Sequence, residues 1–126
     1  MEILAPVFRT IATPAVRTLV GGHDPRIYGS GNAPQGTATP YITWFTVAGQ
    51  PYNQLGGAPD GDNDTVQIDC WAGPGDAGEL ACVELARAVR DALDAAGIVN
   101  RVVIHTREPD TRLFRIGLQA DFIRGR

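Results

Sequence analysis

From Phe114 to Phe122 every second residue is apolar: Phe114, Ile116, Leu118, Ala120 and Phe122 alternate with Arg115, Gly117, Gln119 and Asp121. Side chains along a strand point to opposite faces in turn, so this run buries its apolar set as one face of a sheet. Thr65 to Ala72 has the same form, with Val66, Ile68, Cys70 and Ala72 on one side and Thr65, Gln67, Asp69 and Trp71 on the other. A sheet with one apolar face needs a cover, and the segment between these strands supplies one. Ala81, Leu85, Ala88, Ala92 and Ala96 fall in a stripe at helical spacing with Val89 and Leu93 beside it, while Glu84, Arg87, Arg90, Asp91 and Asp94 lie off it. Asp76 as cap and Gly97 as terminator predict a helix from about Ala77 to Ala96.

The remaining elements are shorter. Ile3, Leu4, Val7, Phe8 and Ile11 share a helical face, and Thr13-Pro14 is the start signal of a second short helix that Gly21-Gly22 ends. Residues 23 to 39 read as a crossing loop in which only Ile27 and Tyr28 need somewhere to pack. Pro34-Gln35-Gly36 and Pro40 stiffen the approach to a strand at Tyr41 to Val47, with two prolines biasing Ala33 and Thr39 toward extended backbone. Ala48 to Asp64 holds Gly49, Pro51, Gly56, Gly57, Pro59 and Gly61, and reads as a long flexible loop suited to binding. After Gly97 come a strand at Val99 to Thr106, a turn at Glu108-Pro109-Asp110 and the last strand, Leu113 to Ile123. The expected fold is α+β: an antiparallel four-stranded sheet of two hairpins, one long helix packed on a face, and short N-terminal helices. With 126 residues, 44% of them hydrophobic, residues 1–126 form a single domain around one core.

Charge and motifs narrow the function by exclusion. A net charge of −3 with scattered cations gives no basic stripe for a phosphate backbone, so direct nucleic-acid binding is not expected. Cys70 and Cys82 make no disulfide framework and lack zinc-ligand spacing, so they read as reduced core thiols. The apolar N-terminus is no targeting segment, because Glu2 stands where a basic region should be and Pro6 and Arg9 interrupt the run. No stretch is long enough to span a bilayer, and the expected site of synthesis and assembly is the cytoplasm. Asp60, Asp62 and Asp64 alternate as in a calcium loop, but Thr65 replaces the turn glycine and Trp71 the bidentate acid. Gly29-Ser30-Gly31-Asn32-Ala33-Pro34 has a proline at the third glycine of a dinucleotide loop, with no strand before it and no helix after. Cys70 with His105 as base would be a nucleophile pair, yet Cys70 belongs to the apolar series. No catalytic residue, cofactor or metal is expected.

Trp71 is the exception among the aromatics, because it lies opposite the apolar series. It is either a subunit contact or packed beneath the N-terminal helices. In order and spacing, Arg26-Ile27-Tyr28, Pro34-Gln35-Gly36 with Pro40-Tyr41, Val66-Gln67-Ile68-Asp69-Cys70-Trp71-Ala72 and the helical Ala86-Arg87-Ala88-Val89-Arg90-Asp91-Ala92-Leu93 resemble the tail-completion proteins of long-tailed bacteriophages. These are also called tail terminators or head-tail joining proteins. The resemblance implies a virion protein without enzymatic activity that forms a ring, typically a homo-hexamer, on the head-proximal end of the tail tube. There it stops tube polymerisation and meets the head connector, so its implied partners are itself, the tube protein and the connector. The family carries no signature functional residues. A ring needs two different complementary surfaces on each subunit. Tyr52, Leu55, Asp60 and Asp62 of the long loop, Trp71, and the C-terminal Arg124 and Arg126 are the candidate contacts. A neighbouring connector or minor tail component is an alternative within the structural class. A small cytosolic ligand-binding domain, or an enzyme built on the Gly- and Asp-rich loops, is the alternative outside it.

Overall fold

The computed structural model describes residues 3–51 and 61–125. Among these residues the chain forms α1 (Val7–Ile11), α2 (Pro14–Leu19), β1 (Ile27–Gly29), β2 (Tyr41–Pro51), β3 (Gly61–Ala72), α3 (Gly78–Ala95), β4 (Asn100–Arg107) and β5 (Phe114–Gly125). The five strands make one sheet in the order β1-β2-β3-β5-β4. Two antiparallel hairpins, β2–β3 and β4–β5, join at the centre through the antiparallel β3–β5 pair. The helices lie on one face.

The core follows the alternation. Ile42, Ile68, Cys70, Leu118 and Ala120 point from the sheet into a fully buried layer, met by Cys82, Leu85, Val89 and Leu93 of α3 and by Val7, Ile11, Val16 and Val20 from the N-terminal helices. The Thr13 side chain accepts a hydrogen bond from Val16 N–H, and Pro14 opens α2. α3 stops where Gly97 takes φ +72°, with Ile98 N–H donating to Leu93 O and Gly97 N–H to Asp94 O, which satisfies two end carbonyls.

Several expectations are corrected. The sheet has five strands, not four, and is mixed: Ile27–Gly29, expected in a crossing loop, runs parallel to Ile42–Trp44 and buries Ile27. The connection expected over 48 to 64 is shorter, since Ala48–Pro51 continue β2 and Gly61–Asp64 begin β3. The candidate contacts Tyr52, Leu55, Asp60 and Arg126 lie outside the described residues. Asp76 does not cap α3, whose first turn starts at Ala77 with no side-chain cap. The buried stripe of α3 runs through Cys82, Leu85, Ala86 and Val89, while Ala81 and Ala88 are half-buried and Ala96 is exposed. The N-terminal helical face is truncated: Pro6 supplies no N–H and disfavours helix at Ala5, so α1 begins at Val7 and leaves Ile3 85% exposed.

Cys70 and Cys82 are both free and buried, and the Cys82 thiol donates to Cys70 O at 3.2 Å. Burial pushes Cys82 up to about 11, against an opposing hydrogen bond from the Ile116 backbone, and burial raises Cys70 as well. The folded state therefore holds these protons more tightly than the unfolded chain. Their contribution to stability is complete below about pH 8.5, where unfolded thiols begin to ionise, and is lost as pH rises toward 11. The eleven cationic residues are all arginine, so no lysine titrates in that window. Urea unfolding should show lower stability at pH 10.5 than at pH 8, with a smaller drop in Cys82→Ala. An equal drop in that variant would contradict this assignment.

Candidate functional site: the uncovered face of the sheet

The helices cover one face of the sheet, and the opposite face collects the odd-numbered residues of β3 and β5. Register sets them in rows: Tyr41, Trp71 and Arg115 across β2, β3 and β5, then Thr43, Asp69 and Gly117, then Phe45, Gln67 and Gln119. Tyr28 joins the first rows from β1. Trp71 therefore does not pack beneath the N-terminal helices, and of its two expected placements only the outward one holds.

This face is not an ordinary solvated one. Asp69 is 2% exposed, and Gln67 and Thr43 are also buried. Arg115 Nη2 donates to Asp69 Oδ2 at 3.0 Å and Nη1 to Glu108 Oε1 at 3.3 Å, while Gln67 Nε2 donates to Asp69 Oδ1 at 3.1 Å. The Arg115 guanidinium lies 5.2 Å over the Trp71 ring, whose Nε1 donates to Thr43 Oγ1 at 3.0 Å. Trp71 stacks on Tyr41 with centroids 6.0 Å apart, and Tyr41 meets Tyr28 edge-on at 6.5 Å. Burial works against the Arg115 charge, but the hydrogen bond to Asp69 and the Asp69 and Glu108 charges outweigh it and hold the guanidinium above its usual pKa. Arg115 Nε and Asn63 Oδ1 are buried without a hydrogen-bond partner among the described residues.

Gly117 makes this packing possible. A Cβ there would stand 2.6 Å from Asp69 Oδ1, so the missing side chain is the space that the carboxylate fills. The Asp69 carboxylate, both terminal nitrogens of Arg115 and the Trp71 indole N–H are held by their neighbours, and the aromatic rings pack around them. Such an arrangement presents a rigid, pre-formed surface with little rotamer entropy left to lose on contact. Two shallow clefts border it. One, of about 400 Å³, is lined by Tyr41, Trp71, Glu108, Asp110 and Arg115, and another, of about 530 Å³, lies beside Pro34, Thr37, Tyr41 and Leu113.

The suspected chemistry does not come together here. Cys70 faces the core, and in register Ile116 of β5 stands between it and His105 of β4. His105 lies 3.5 Å from Glu79 on the helix-covered side. Among the described residues no group of three or more His, Cys, Asp or Glu side chains could hold a metal, and no helix is long and apolar enough to cross a membrane. Asp62 is half-buried on β3, in register with Pro51 and with Arg124 of β5, at the far end of the sheet from Trp71.

Residues 7–123 match the family profile described as Tail completion protein gp17. The chain belongs to this tail completion protein family. It is thus a structural component of a phage-type virion tail. A chain from the virion of a native gene transfer agent particle shares the fold, with a TM-score of 0.59 and 20% identity over 91% of this chain and 90% of that one. No curated protein matches. Of the three candidate contacts among the described residues, Asp62, Trp71 and Arg124, only Trp71 belongs to the network on this face of the tail completion protein; the sequence reading missed Tyr28, Tyr41, Asp69, Gln67 and Arg115. The available signal was a charged residue within each of two strands, Asp69 and Arg115, flanked by apolar neighbours.

Proposed function

We propose that this tail completion protein forms a ring, a homo-hexamer in the simplest case, that caps the head-proximal end of the tail tube, ends its polymerisation and joins it to the head connector. The family match sets the class, and the observation that carries the reading is the sheet face that no helix among the described residues covers. A two-layer domain with a rigid aromatic and ion-paired surface on its open side is built to be contacted by another protein. The buried thiols and the separation of Cys70 from His105 favour a protein that acts by occupying the tube end, without turnover. A particle lacking this gene should have tails that overrun their length or fail to carry heads. Tails of normal length firmly joined to full heads would overturn the proposal.

A further inference from the structure

A cleft of about 290 Å³ lies between α3 and β4 on the helix-covered side of the sheet. Its floor is apolar, made by Val83 and Ala86 of α3, Val102 of β4, and Ile116 and Leu118 of β5. A bulge shapes the β4 wall. The register breaks between Val102 and Ile104, so Val103 is the extra residue, and Val102 opposite Leu118 and His105 opposite Ile116 both face the helix. In a regular strand, residues three apart would face opposite sides. Val102 is 48% exposed, so the cleft opens to solvent along β4.

The rim of this cleft is rich in donors. Arg87 and Arg90, one helical turn apart, both line it. Arg87 has no hydrogen-bond or ion-pair partner among the described residues, and Arg90 uses only Nε, donating to Asn100 Oδ1 at 3.3 Å. A guanidinium offers no acceptor, so these groups call for an occupant that supplies one. No carboxylate lines the cleft. Glu79 sits on His105 at 3.5 Å, Asp94 accepts from Asn100 at 2.7 Å, and Glu84 and Asp91 line a separate groove beside Thr13 and Ala15, on the other side of Arg87. A complementary occupant therefore brings apolar surface together with carboxylate acceptors. The volume is at the lower limit for a whole small molecule, roughly 300 to 1,000 Å³, and suits side chains carried on a longer chain. We infer that the α3–β4 cleft is a docking site for an acidic segment of a partner protein. That segment seats one large apolar side chain on the Val102–Leu118 floor and sets flanking carboxylates on Arg87 and Arg90. The cleft and Trp71 are on opposite sides of the sheet, so its occupant does not compete with a protein that meets the uncovered face.

The test uses the full chain labelled at its valine and leucine methyl groups, titrated with an acetylated, amidated peptide that carries one leucine between two pairs of glutamates. The methyl signals of Val83, Val102 and Leu118 should shift saturably in the millimolar range, while those of Leu113, in the cleft beside Trp71, stay in place. Exchanging the peptide's leucine for alanine, or its glutamates for lysines, should weaken binding at least about tenfold. The double variant Arg87→Gln, Arg90→Gln should lose as much and still unfold at the same urea concentration as the parent chain. Absence of saturable shifts, equal binding of the lysine peptide, or undiminished binding by the folded double variant would overturn the inference. So would concentration-dependent shifts of the same methyls in the protein alone, which would make the occupant a second copy of this chain. The capping of tail tubes stands or falls separately, by electron microscopy.

Discussion

Replacing Arg115 with alanine should destabilise the fold by about 3 to 5 kcal/mol, the cost of leaving one member of a buried ion pair without the other. Asp69 would keep Gln67 as a partner but lose the guanidinium at 3.0 Å, and it has almost no access to water. Trp71 would lose the cation over its ring and Glu108 its hydrogen bond. The whole stability of a domain is about 5 to 15 kcal/mol, so this one change approaches the threshold for unfolding. Combining Arg115→Met with Asp69→Asn should recover much of the loss, because no isolated charge then remains buried. Urea unfolding of the single and double variants measures both effects. A loss under about 1 kcal/mol for Arg115→Ala would place the pair among ordinary surface ion pairs.

Leu85→Ala should cost about 2 to 5 kcal/mol through lost burial and the cavity left behind. Leu85 is fully buried at the centre of α3, where the helix meets β3 and β5. Leu80, on the same helix but largely exposed, is the internal control: Leu80→Ala should stay within about 0.5 kcal/mol. Comparable losses at both positions would mean that α3 packs on the sheet through a different stripe.

The elements legible in the sequence are those whose own side chains settle the matter. β3, β5 and α3 each carry one apolar face long enough to show its period, and the Thr13-Pro14 and Gly97 signals act through local hydrogen bonds. What could not be read depends on partners far along the chain. β1 is three residues long with only Ile27 buried, and it is a strand because β2 lies beside it. Ala48–Pro51 have the composition of a loop and are extended because β3 pairs with them. Asp69 and Arg115, on the non-core side of their strands, read as solvated residues. Their burial comes from a pairing 46 residues apart and from the space left by Gly117. The candidate contact surface was therefore visible only at Trp71.

The central claim is that this chain acts by occupying the end of a tail tube. Its most direct test is electron microscopy of the purified protein mixed with tail tubes. The account predicts rings seated on one end of each tube, with no density along the sides. Protein that stays free, or that decorates tubes along their length, would contradict it.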